Sequence, residues 1–94
     1  MKKQFFISDS KDFVGTLVTV RGWVFNKRSS GSLIFLHIRD GSGNLQATVG
    51  KNDISPELFS QIQSLPIESS IEVMGNLKQE PRAPGGYEIS VQSL

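Results

Sequence analysis

Cysteine is missing from this 94-residue chain, and histidine occurs once, at His37. Without thiols there is neither a disulfide framework nor a thiolate metal centre, and a lone imidazole does not build a zinc site. Long apolar runs are missing too: Gln4-Phe5-Phe6-Ile7 gives way at once to Ser8-Asp9-Ser10, far short of a secretory apolar region or a membrane span. The chain therefore reads as cytoplasmic and without membrane attachment. Charge of one sign is also scarce, because the formal net charge is +1. That excludes a generic polycation. Six basic groups (Lys2, Lys3, Lys11, Arg21, Lys27, Arg28) nevertheless fall within residues 1–28 against Asp9 and Asp12, so any nucleic-acid contact is expected to be local and selective.

Groupings that would support catalysis are equally thin. Asp9 and Asp12 lie in a polar N-terminal segment, Asp40 opens a turn, and no serine, histidine and carboxylate trio emerges. Gly41-Ser42-Gly43 and Gly85-Gly86 lack the spacing and the following helix of phosphate-cradling loops. The sequence carries no evident active site and calls for no cofactor of its own.

What is present is a set of short strands with one helix. A chain of this length forms a single domain, here residues 1–94, able to bury only ~60–65% of its unfolded surface. Residues 16–27 are rich in branched and aromatic side chains, with Gly22 marking a bulge or sharp bend. Residues 33–40 alternate: Ile34, Leu36 and Ile38 face the core, while Leu33, Phe35, His37 and Arg39 face out. The turn Asp40-Gly41-Ser42-Gly43-Asn44 leads into a strand over 44–50, which matches the two apolar faces and puts Gln46 on the outward surface with Phe35. Ser55 as N-cap, Pro56 at the first helical position and the apolar positions Leu58, Phe59, Ile62 and Leu65 predict a helix that Pro66 stops. Strands over 70–78, with Gly75 a second candidate bend, and over 87–93 flank a proline- and glycine-rich loop at 79–86. Three strands, a helix and two strands is the order of an all-β, five-stranded OB-fold barrel with one short helix between strands 3 and 4.

One surface of that barrel gathers a ring, an amide and cations. These are the types needed to stack an unpaired base, read its edge and hold a backbone phosphate. Phe35 is an aromatic ring on the wet side of a sheet, although single exposed rings are ordinary. Gln46 donates and accepts through one planar group; alone it would be plain solvated surface. Lys27 and Arg28 stand where the first strand leaves the barrel, and such a pair is commonly just a solvated terminus. Arg28, with its planar fork, is the better candidate for a defined contact. His37 reads as a surface residue on the face of Phe35, and the bend at Gly22 leaves the facing of Trp23 open.

Val20-Arg21-Gly22-Trp23-Val24, Lys27-Arg28, Gly31-Ser32-Leu33-Ile34-Phe35, Arg39-Asp40-Gly41-Ser42-Gly43 and Leu45-Gln46 together resemble the N-terminal anticodon-binding OB domain of the class IIb aminoacyl-tRNA synthetases, the aspartyl, asparaginyl and lysyl enzymes. Arg82-Ala83-Pro84-Gly85-Gly86-Tyr87-Glu88 resembles the asparaginyl branch. The resemblance implies binding of a tRNA anticodon stem-loop, with Phe35 stacking on the central anticodon uracil, Gln46 bonding that uracil's edge and Arg28 helping to hold the stem-loop. All three tRNA types share the central uracil, so discrimination is expected from the loop at 78–86, with Lys78, Glu80 and Arg82 as candidates. It further implies a class II catalytic domain as partner, a homodimeric parent enzyme, and ATP and Mg2+ as that parent's cofactors.

Two departures stand out. Ser29-Ser30 follows the cationic pair where the family places an acidic residue, and no class II catalytic motif follows. The chain is accordingly expected to be a domain of a longer ligase. The alternatives are the anticodon domain of an aspartyl- or lysyl-tRNA synthetase, a free-standing OB-fold RNA-binding or protein-interaction module, and a sequence-tolerant single-strand binder, which would show a more basic groove and several rings.

Overall fold

The computed structural model describes residues 6–93. Lys2 and Lys3, counted above in the basic N-terminal excess, lie outside them. Five strands, β1 (Leu17–Ser30), β2 (Leu33–Arg39), β3 (Asn44–Gly50), β4 (Ser70–Gln79) and β5 (Tyr87–Ser93), close into a barrel in the order β1-β2-β3-β5-β4. Among the described residues the one α-helix, α1 (Pro56–Gln63), lies between β3 and β4. The OB-fold order expected from the strand pattern is the one observed.

Alternation explains the core. Ile34, Leu36 and Ile38 of β2 and Leu45, Ala47 and Val49 of β3 are all buried, facing Val73 and Leu77 of β4 and Ile89 and Val91 of β5. α1 begins where the Ser55 hydroxyl accepts from the Leu58 amide at 3.2 Å, and it delivers Phe59 and Ile62 into the same core. Emptying one such site by a large-to-alanine change costs about 2–5 kcal/mol.

β1 is long because it serves two partners. It pairs with β4 over Leu17–Trp23 and with β2 over Trp23–Ser30. Gly22 sits where the strand changes partner, yet the bulge is not there. It falls at Phe25, between the Val24↔Ile38 and Asn26↔His37 pairs. Gly22 answers to a different constraint: a Cβ at this position would run into the carbonyl oxygen of Arg39. Gly75 does mark a register shift, in the β4–β5 ladder, and a Cβ there would strike the Ser90 carbonyl.

A 3-10 helix at Ile7–Asp12 was not expected from its polar composition. Its anchor is tertiary: Ile7 is buried, and the Asp40 carboxylate accepts from the Ile7 amide at 2.8 Å. Asp40 also accepts from the Ser42 amide and hydroxyl and the Gly43 amide. Desolvation pushes the Asp40 carboxyl up, but the Ser42 hydroxyl and the amides of Ile7, Ser42 and Gly43 outweigh it and hold it below the usual 3.8.

Candidate nucleic-acid interface

The bulge at Phe25 decides which side chains share the outer surface. One extra residue in a strand reverses the facing of everything beyond it. Beyond the bulge Arg28 therefore pairs with outward Phe35, and Lys27 with inward Leu36. The Arg28 guanidinium lies 4.9 Å from the centre of the Phe35 ring. Phe25 itself joins the outer face, its ring 5.8 Å from that of His37 and 5.9 Å from the Arg39 guanidinium. Arg39 also pairs with Glu68 at 2.7 Å.

Strand register then sets up a row across the whole sheet. Asn26, His37, Gln46, Glu88 and Lys78 stand directly opposite one another on β1, β2, β3, β5 and β4. Four of them are linked: Lys78 Nζ to Glu88 Oε2 at 3.2 Å, Gln46 Nε2 donating to Glu88 Oε1 at 2.7 Å, and His37 Nε2 to Gln46 Oε1 at 3.3 Å. A carboxylate only accepts, so the NH2 end of Gln46 must face Glu88 and its oxygen His37, whose Nε2 then carries the proton. Both Gln46 and Glu88 are buried by their neighbours, at 8% and 6% exposure. Gln46 is thus outward in parity, as expected, but it is no freely solvated amide. The next row runs Arg28, Phe35, Thr48, Ser90 and Asn76, so Phe35 stands one row from Gln46, diagonal to it across the β2–β3 ladder.

The remaining candidates fare differently. Lys27 does not reach this face: its ammonium donates to the carbonyls of Gln63 and Leu65 at 2.5 and 2.8 Å, closing the C-terminal end of α1. Four carbonyls at a helix end lack intrahelical partners, and a cation there meets both hydrogen-bond demand and dipole. Lys78 ends the polar row. Glu80 and Arg82 lie on a loop folded on itself, with the Glu80 amide bonded to the Gly86 carbonyl at 2.9 Å and the Ala83 amide to the Glu80 carbonyl at 2.9 Å. Gly85 of that loop approaches the Asn44 carbonyl at the start of β3. The Arg82 side chain is exposed, and Glu80 is half-buried.

Two members of the face escaped sequence reasoning. Glu88 alternates with Tyr87 and Ile89 along β5, but its place beside Gln46 depends on the parallel β3–β5 pairing. Phe25 has no local signal, since its facing comes from the bulge.

A closed five-stranded barrel with an aromatic, amide and cationic outer face defines a class of single-domain nucleic-acid binders. Residues 18–94 match the family described as an OB-fold nucleic acid binding domain, and the chain belongs to it. It is similar to the asparagine–tRNA ligase of Thermoplasma acidophilum, with 48% identity over 90% of this chain and 20% of that protein. Against the asparagine–tRNA ligase of Koribacter versatilis the identity is 50%, over 85% of this chain and 18% of the relative. The crystal structure of asparaginyl-tRNA synthetase from Pyrococcus horikoshii complexed with asparaginyl-adenylate superposes with a TM-score of 0.90 at 37% identity, covering 99% of this chain and 22% of that one. The chain thus spans about a fifth of these relatives' length. Among the described residues no helix is long and apolar enough to cross a membrane.

Proposed function

We propose that this chain binds the anticodon stem-loop of tRNA-Asn as the N-terminal domain of an asparaginyl-tRNA synthetase. The observation that carries this reading is the hydrogen-bond inventory of Gln46. A glutamine amide has two N–H donors and two acceptor lone pairs. Glu88 takes one donor and His37 one lone pair, which leaves one of each. That is the complement of the N3–H and O4 edge of uracil. Cytosine offers the same pair in reverse order and would require a flipped amide, which the acceptor-only Glu88 opposes. The fixed amide therefore prefers uracil, next to a ring on which the base can stack.

Arg28 rests on Phe35 in the free protein through a contact worth ~0.5–1 kcal/mol at an exposed site. A charge-assisted bond to phosphate is stronger, so Arg28 leaves the ring for the RNA backbone when a base arrives. Lys78, Glu80 and Arg82 border the row at its β4–β5 end and are assigned to the outer anticodon bases. Lys27 belongs to the fold rather than to the RNA. The remaining portion of such an enzyme, a cytoplasmic homodimer, supplies the class II catalytic domain with ATP and Mg2+. Among the described residues no group of three or more His, Cys, Asp or Glu side chains could hold a metal ion, so no step through those cofactors is assigned to this chain.

The test is a competition between stem-loops that differ only in the central anticodon base. Gln46→Ala should reduce the preference for uracil over cytosine by about 1–3 kcal/mol. Equal discrimination by both proteins would overturn the reading.

A further inference from the structure

A glutamine amide can be held by groups that only accept or only donate, or by groups that can do either. The two partners of Gln46 differ in this respect. Glu88, buried and paired with Lys78 at 3.2 Å, only accepts, so it fixes the NH2 end of the amide at 2.7 Å. His37, 3.3 Å from the amide oxygen, can do either while neutral, because its Nε2 carries a proton in one tautomer and a lone pair in the other. A neutral His37 therefore follows the amide and does not hold it. In the imidazolium both ring nitrogens are donors, and Nε2 can face only an oxygen.

We propose that His37 is a second positioning residue for base selection, whose protonation locks Gln46 in the orientation that reads uracil. The inference rests on the proposed function. Flipping the amide to meet cytosine turns its oxygen toward the Glu88 carboxylate, acceptor against acceptor, and its NH2 end toward Nε2 of His37. Neutral His37 avoids the second conflict by exchanging tautomer, whereas the imidazolium opposes donor to donor. The surroundings suit a ring that gains and loses a proton. Asn26 and the Phe25 ring face His37 from β1, Gln46 from β3, and Phe35 and Arg39 flank it along β2. The nearby cations are engaged elsewhere: Arg39 pairs with Glu68 at 2.7 Å, Arg28 lies over Phe35, and Lys78 is held by Glu88 on the far side of Gln46. His37 is half-buried, so it exchanges protons with water.

One test is the competition between stem-loops with uracil or cytosine at the central anticodon position, repeated from about pH 8 to about pH 6, where a histidine changes charge. The wild-type preference for uracil should rise several-fold on acidification. His37→Leu should keep the lower preference throughout, and His37→Lys, a donor across the whole interval, should keep the higher one. A charge that merely attracted RNA would strengthen both loops equally and leave the ratio flat, which would overturn the assignment. So would a ratio that falls, because protonation of Glu88 would free the amide and act in the opposite direction. A second measurement needs no RNA. Nitrogen NMR of the His37 ring at about pH 8 should show the Nε2–H tautomer in the wild type and a mixture of tautomers in Glu88→Gln, where no acceptor-only group fixes the amide. A wild type with the proton on Nδ1, or a variant that keeps it wholly on Nε2, would overturn the inference by itself. Absence of stem-loop binding would count against the proposed function, while the tautomers decide the role of His37 without RNA, so the two readings fail separately.

Discussion

Two rows of side chains cross the same strands one residue apart, and they do opposite things. The inward row, Leu36, Ala47, Ile89 and Leu77, is 0–1% exposed and wholly apolar. The outward row, His37, Gln46, Glu88 and Lys78, is a chain of hydrogen bonds and an ion pair. The first row lowers the free energy of the fold by removing apolar area from water. The second adds little net stability, because each of its bonds replaces one to water. Its effect is to fix which way an amide points. Under the proposed function, stability and recognition are separated by one step along the strand rather than by distance.

The sharpest way to break that separation is to truncate neighbours. Leu36→Ala should destabilise the domain by about 2–5 kcal/mol in urea titrations, while protein that remains folded keeps its RNA preference. Phe35→Ala, one residue earlier, should weaken stem-loop binding by about 1–3 kcal/mol with a far smaller shift in melting temperature. If Phe35→Ala unfolded the protein and left the affinity of the folded fraction intact, the two rows would not divide the labour as described.

Asp40 supplies a control away from both rows. Asp40→Ala removes an acceptor for four donors and should cost roughly 1–3 kcal/mol in thermal or urea melts, without altering base preference. Its carboxyl is held below 3.8 in the folded state, so the stability it contributes is present above the unfolded value and lost as pH falls through the folded one. Melting curves of the wild type should therefore decline faster below about pH 4 than those of Asp40→Asn. The smallest effect is expected at Arg28. Arg28→Ala should weaken all stem-loops alike and reduce the slope of log affinity against log salt by about 1. A changed base preference with an unchanged slope would make Arg28 a base reader.

Much of this architecture is legible in local pattern. The β2–β3 hairpin, with Ile34, Leu36 and Ile38 inward and Phe35 outward, follows from alternation around a turn of Asp, Gly, Ser and Asn. The helix follows from Ser55, Pro56 and the spacing of Phe59 and Ile62. The bulge is less legible, because glycine at position 22 advertises a special backbone and answers to the approach of Arg39 instead. Lys27 misleads for a related reason: beside Arg28 it reads as half of a cationic pair, yet the parity change at Phe25 turns it toward the end of α1.

The sequence by itself determined the elements and their inner faces, because period, caps and turn residues act over a few neighbours and do not depend on what the element later packs against. It also supplied a ring, an amide and a guanidinium at Phe35, Gln46 and Arg28, the chemical types on which the proposed function rests. Only the tertiary structure decided that Gln46 is oriented by Glu88, 42 positions away, that Phe25 joins the outer face, and that Ile7 is tied to Asp40. Those contacts depend on barrel closure, which brings β3 beside β5 in parallel and lets a single bulged residue reverse the facing of a strand end. Such facts belong to pairs of strands, and no pattern within one strand contains them.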